Sequence, residues 1–351
     1  MKKQLILLLI LSCLVCCLMI SCGKNDGASD RPKGSWEVSF VYNANNSSVI
    51  YVKDGDRVSM PADPVKKNYV FLGWFSNYAC TERYDFSEEV HSDLTLYAKF
   101  ELDAGKITNE ISQNAMKSIV KIECQYYNEI LWGMIETDKT GWYLGSGFCF
   151  SENDGYYYIL TNCHVVEGPS GYDKMRIRVT DYKGNQYTAS LYTNPNKNKE
   201  AKSADYDLAC IYFKSDSTEV KPLEILRTNP HLQDDVISLG TPDGQTNTIT
   251  FGKVKEYKTI TLDDTPKNES NVTFDVIRHN ADVKGGSSGG PLLNSNLDVV
   301  GVNYAASTGD NDISYAIPAE KIWEFLNTYV YNSSKIQADS NRVFSRLLFF
   351  I

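Results

Sequence analysis

The sequence predicts a mainly β protein of barrel or sandwich type, and three observations carry that prediction. Short apolar runs with alternating polarity recur along the chain, separated by Gly, Pro, Asn and Asp. Tyrosine (23) and phenylalanine (14) are frequent, and both suit a pleated, half-buried surface. Long stretches of helical periodicity are few. At 351 residues and 42% hydrophobic content the chain is long enough for about two domains of ordinary size, each with a core. A formal charge of −9 argues against nucleic acid as a partner.

Taken in order, residues 1–21 combine Lys2 and Lys3 with an apolar run from Leu5 to Ile20, the arrangement of an export signal. The stretch Met19-Ile20-Ser21-Cys22 resembles a bacterial lipoprotein signal, which implies lipidation of Cys22 and a protein anchored to a membrane outside the cytoplasm. Residues 22–34 are polar and read as a tether. From Trp36 the pattern alternates, with Trp36, Val38, Phe40 and Tyr42 on one face of a strand. A strand around Val49–Val52, an aromatic strand Tyr69–Phe75 and a strand within Asp93–Phe100 follow. The order of these features, with Gly73-Trp74-Phe75 and Leu96-Tyr97-Ala98-Lys99-Phe100, resembles the internalin-type B-repeat. The resemblance covers residues 35–101 and implies a small β-grasp-like module that carries no catalytic group.

Beyond a linker, Ile107, Ile111 and Ala115 suggest a short helix, and Ser118–Cys124 begins a larger β domain. Strands are expected at Tyr156–Val166, Met175–Val179, Tyr187–Tyr192, Leu208–Phe213, Val236–Leu239, Thr248–Val254, Val272–Ile277 and Val299–Val302. A helix is expected from Pro318, which suits a first helical turn, with Ile322, Phe325, Leu326, Tyr329 and Val330 on one face. Residues 332–351 read as a C-terminal tail.

Nine cysteines are present. Cys13, Cys16 and Cys17 lie in the signal and Cys22 is the lipidation candidate, which leaves Cys80, Cys124, Cys149, Cys163 and Cys210. These show no metal-ligand spacing, and buried free thiols are expected, with a Cys149–Cys163 disulfide as the minor alternative. No metal or other cofactor is expected.

Chemistry concentrates in Lys284-Gly285-Gly286-Ser287-Ser288-Gly289-Gly290-Pro291-Leu292. Glycines around two serines permit positive φ and let backbone amides converge beside a hydroxyl. A serine hydroxyl is a weak nucleophile and needs a base, and that base needs a group fixing its tautomer. His164, within Thr161-Asn-Cys-His-Val-Val166, is the candidate base. Asp207, directly before the apolar run Leu208–Phe213, is preferred over Asp205 as the orienting acid.

Gly145-Ser-Gly-Phe, Thr161-Asn-Cys-His, Asp207-Leu-Ala, Gly240-Thr-Pro-Asp-Gly, Gly252-Lys-Val, Gly286-Ser-Ser-Gly-Gly-Pro-Leu, Gly301-Val-Asn and Tyr315-Ala-Ile-Pro occur in the order seen in trypsin-like serine proteases of the HtrA type. Over residues 107–331 the resemblance implies a trypsin-like double β-barrel and a serine endopeptidase acting on proteins or peptides. Its triad would be His164, Asp207 and Ser288, with Gly286 and Ser288 N–H groups as the oxyanion hole and a homo-oligomer as an allowed state. The short segment after the last helix departs from the PDZ domain that such proteases usually carry. Asp282, six residues before Ser288, stands where trypsin-like enzymes place the carboxylate of the primary specificity pocket, an arrangement that would select Lys or Arg before the cleaved bond. The competing function is a surface binding or adhesion protein that uses the repeat, with a catalytically silent protease fold.

Overall fold

The computed structural model describes residues 31–241, 248–260, 272–306 and 313–331. The signal segment, Cys22, the Pro242-Asp-Gly part of one motif and the tail 332–351 lie outside the described residues.

The described residues divide into two compact units, one drawn from residues 31–65 and 71–101, the other from residues 66–70 and 102–331. The smaller unit holds β1 (Ser35–Asn43), β2 (Asn46–Lys53), β3 (Tyr69–Phe75) and β4 (Leu94–Leu102) in the order β2-β1-β4-β3. β1 and β4 run parallel, with Val38 opposite Leu94 and Phe40 opposite Leu96. Val38, Phe40, Trp74 and Leu96 form its core, so the alternation read along β1 is what buries one of its faces.

The larger unit opens with the helix Ala104–Gln113, whose buried Ile107 and Ile111 are the pair the spacing predicts, and Asp103 caps it by accepting from the Lys106 N–H. Next come β5 (Ile119–Ile130), β6 (Ile135–Thr137), β7 (Tyr143–Asn153), β8 (Tyr156–Thr161), β9 (Lys174–Thr180) and β10 (Gln186–Leu191). Three two-residue strands follow, β11 (Thr193–Asn194), β12 (Lys199–Glu200) and β13 (Lys202–Ser203), before β14 (Leu208–Lys214). The order β10-β9-β5-β7-β8-β14 closes on itself through β10 and β14, where Leu191 meets Ile211. A second closed barrel runs β15 (Asp235–Gly240), β16 (Thr248–Lys258), β17 (Val276–His279), β20 (Ser314–Pro318), β19 (Val299–Ala306) and β18 (Pro291–Leu293).

Both faces of the central strands are buried, which explains their continuous apolar runs. Along β14, Ala209, Ile211 and Phe213 fill the first barrel with Ile122, Cys149 and Val179. Leu208 and Cys210 point the other way, into a core shared with Ile237, Leu239, Leu293 and Val302 of the second barrel. Each such Leu or Ile contributes about 1.5–3 kcal/mol on burial. That shared core locks the barrels together and sets the loops of one against the strand ends of the other.

Three expectations shift. The strand toward His164 ends at Thr161, and Cys163–Val166 forms one helical turn, so His164 stands just past the strand end. The strand expected from Val272 starts at Val276. The last helix is Ala319–Phe325, continued by a wider turn Leu326–Val330, with Pro318 as its preceding cap residue and not its first residue. Cys80, Cys124, Cys149, Cys163 and Cys210 are free thiols.

Candidate active site

The acid and the imidazole come from the first barrel. Asp207 closes a turn in which its own N–H donates to the Ala204 carbonyl at 3.1 Å, and it adopts φ 47°. That left-handed conformation is one that Asp tolerates better than most residues. The turn aims the carboxylate inward, where its side chain is only 1% exposed, whereas Asp205 is exposed. His164 Nδ1 lies 2.8 Å from Asp207 Oδ2, and the His164 backbone N–H donates to Oδ1 at 3.0 Å. Both carboxylate oxygens are therefore spent on one residue, which fixes ring position and backbone together. Asn162 Nδ2 donates to the Asp207 carbonyl at 2.8 Å and holds the turn from the other side.

Ser288 comes from the second barrel, on the turn between β17 and β18. Gly286 and Gly289 both have φ 88°, a conformation open to glycine at little cost. At Gly289 a Cβ would stand 2.1 Å from the Ser146 carbonyl oxygen and 3.1 Å from the Asn162 nitrogen. The turn carrying Ser288 thus lies directly against the end of β8, two residues before His164. Ser287 is 4% exposed and packs against Gly240, while Ser288 is only partly covered. Of the two serines, Ser288 is the more exposed.

Three residues without a role in the sequence reading hold this turn. Ser146 is fully buried; its Oγ donates to the Gly286 carbonyl at 2.7 Å and accepts from the Thr241 N–H at 2.9 Å. Its N–H donates to the Ser288 carbonyl at 2.8 Å, and its own carbonyl accepts from Thr161 Oγ1 at 2.7 Å. Asn303 accepts from Gly289 N–H and donates its N–H to the Gly290 carbonyl, while its Nδ2 donates to Ser238 Oγ at 2.9 Å. Asn162, already bonded to Asp207, touches the same turn. Their signal in the sequence was position only: Ser146 sits between two glycines in a strand, where a small side chain allows close approach. Within the turn itself the Ser287 and Gly290 amides donate to the Lys284 and Ser287 carbonyls. Those bonds flank the Gly286 and Ser288 amides.

Asp282 lies upstream on the same segment, 38% exposed, with Oδ2 at 3.3 Å from Lys284 Nζ. Its carbonyl accepts from Thr250 Oγ1 at 2.9 Å. Cys163, beside His164, is buried and donates from Sγ to Glu167 Oε2 at 3.3 Å. Burial, and then the Glu167 charge, push its thiol far above the ordinary range, so it stays protonated and is no rival nucleophile. His279, in the second barrel wall, is fully buried, and burial lowers its pKa to about 4 although nearby Asn303 opposes the shift.

Residues 145–302 match the family described as trypsin-like peptidase domain, and residues 36–99 match the Listeria-Bacteroides repeat domain. Serine protease HTRA4 of Homo sapiens is 32% identical over 206 residues, 57% of this chain and 38% of that protein. Serine protease Do-like HtrA of Bacillus subtilis is 30% identical over 233 residues, 63% of this chain and 47% of that protein. The chain thus spans less than half the length of these two relatives. Among solved structures, the Rv3671c protease of M. tuberculosis in its active form aligns over 66% of this chain and 88% of that one, at 23% identity and a TM-score of 0.48.

Proposed function

We propose that this chain is a membrane-tethered serine endopeptidase acting outside the cytoplasm, with His164, Asp207 and Ser288 as its triad. The observation that carries the reading is the 2.8 Å contact of His164 with a buried Asp207, set at the strand end against which the Ser288 turn is packed.

In the proposed reaction Asp207 accepts the Nδ1–H of His164, and the tautomer this fixes makes Nε2 the base. Ser288 Oγ attacks the carbonyl carbon of the scissile peptide bond as its proton passes to Nε2. The oxygen of the resulting tetrahedral centre is stabilised by the Gly286 and Ser288 N–H groups, which are fixed before the substrate arrives. Collapse breaks the C–N bond, and the departing amine takes the proton from His164. Water, deprotonated by the same imidazole, then hydrolyses the acyl ester and regenerates Ser288. Ser287 takes no part, since it is buried against Gly240.

Asp282 is proposed to favour Lys or Arg before the cleaved bond. Its ion pair with Lys284 is partly exposed, and a basic substrate side chain would replace one cation with another. Peptide-library profiling of wild type and Asp282→Ala tests this: a basic preference should be lost in the variant, and an unchanged preference for small aliphatic residues would refute it. Tethering is proposed through a lipid on Cys22, and Cys22→Ser should release the protein from the membrane fraction.

The activity itself is tested with an unfolded protein such as reduced casein. Wild type should generate new amino termini and Ser288→Ala should not. Equal hydrolysis by both would remove the proposed nucleophile.

A further inference from the structure

β5 and β6 form a hairpin in which Glu129 faces Glu136 and Ile130 faces Ile135. Its tip turns Leu131, Trp132, Gly133 and Met134 away from the barrel. Trp132 is 95% exposed, and Ile130, Leu131, Met134 and Ile135 are exposed beside it. Leu131 and Trp132 have φ of 52° and 57°, a pair of left-handed positions that tight hairpins usually give to Asn and Gly. Large apolar side chains here meet an unfavourable backbone conformation and gain no compensating burial among the described residues. The fold therefore keeps an apolar tip uncovered by the described residues against two opposing tendencies, which points to a cover outside them.

The shape and the charges select the cover. A convex tip led by tryptophan suits a bilayer interface, which accepts an apolar projection without a matching cavity and where Trp is enriched. A protein partner would have to supply a pocket of complementary shape. The charges beneath the tip are paired: Glu136 with Lys139 and Arg176, Glu129 with Lys174. The two carboxylates nearest the tip are thus screened from a lipid surface. The chain as a whole is acidic, so attraction to anionic lipid is not the driving force. We infer that the hairpin tip Ile130–Ile135 inserts into the interface of a phospholipid membrane as an apolar anchor. The inference builds on the tethered reading above, because a lipid on Cys22 would hold the molecule near the bilayer and raise the effective concentration of the tip at its surface.

The test uses the full chain incorporated in phosphatidylcholine vesicles, plain or made with lipids brominated on the acyl chains near the headgroup. Flotation of protein with the vesicles reports the tether. Tryptophan emission of wild type minus that of Trp132→Phe reports the tip. The difference emission should be largely lost on brominated vesicles, should persist on plain ones, and should be indifferent to salt. Amide exchange of residues 129–136 in the unsubstituted protein, slower on vesicles than in detergent-free buffer, is the second expected result and needs no variant. Protein that floats without quenching of Trp132 keeps the tether and overturns the tip; protein that does not float at all overturns both. A wild type that self-associates in vesicle-free buffer while Trp132→Ser does not would assign the tip to a second copy and also overturn the inference.

Discussion

The two barrels contribute to the site in different ways. The first supplies His164 and Asp207 from neighbouring strand ends, joined by two direct bonds to a carboxylate that is almost wholly buried. The second supplies Ser288 from a glycine turn whose position depends on bonds from outside that turn, made by Ser146 of the first barrel and Asn303 of β19. One half is fixed by its own chemistry and the other by its supports. Substitutions in the first half should therefore act on the chemical step directly. Those in the second should act through the position of the serine.

The largest effect is expected at Asp207. Asp207→Asn keeps the shape but presents an amide to Nδ1, which favours the wrong imidazole tautomer, and turnover should fall by roughly 10,000-fold. Steady-state hydrolysis of a peptide substrate measures it; a loss of tenfold or less would show that the carboxylate does not orient the base. Ser146→Ala comes next. It leaves the Gly286 carbonyl and the Thr241 N–H without their buried partner, for a stability loss of about 1–3 kcal/mol. If the same energy is lost from the transition state, turnover falls by about 10- to 100-fold with little change in KM. Restoration by Ser146→Thr, should the extra methyl fit, would tie the effect to the hydroxyl.

A smaller effect separates the second barrel from the first by pH. The His279 imidazole has a pKa of about 4 in the fold against 6.5 when unperturbed. Between these values the unfolded chain binds the proton and the folded chain does not. Stability contributed by this group is therefore intact above about pH 6.5 and declines as pH falls toward about 4, by at most about 3 kcal/mol. Urea unfolding of wild type and His279→Leu across that window should show a steeper acid decline in the wild type, and parallel curves would contradict the assignment. The smallest effect is at Cys163. A buried, protonated thiol should leave hydrolysis unchanged after treatment of the native protein with iodoacetamide at neutral pH, and inactivation that maps to Cys163 would show that the thiol is accessible.

How far the sequence revealed this arrangement follows the same division. Alternating and continuous apolar runs announced the strands, because burial on one or both faces leaves a local pattern; β3 is the stretch Tyr69–Phe75 that the pattern marks. His164, Asp207 and the Ser288 turn, the proposed site, could be picked out because each stands at a boundary where a polar group meets an apolar run or a cluster of glycines. The helical turn Cys163–Val166 was not, since Val165 and Val166 extend an apolar run and only the site's packing bends the chain there. Ser146, Asn162 and Asn303 were invisible as supports: a buried hydroxyl or amide whose partners lie on distant strands leaves no periodic mark. The turn at Leu131 and Trp132 was equally hidden, because bulky residues are poor predictors of positive φ.

The measurement that bears most directly on the joined site is labelling of the full chain with a fluorophosphonate, at neutral pH and in the presence of an unfolded protein, followed by mass mapping. One modified residue, Ser288, is expected, with labelling strongly reduced in Asp207→Asn and absent in Ser288→Ala. No labelling of wild type under conditions that modify a control serine protease, or modification at Ser287, would contradict it.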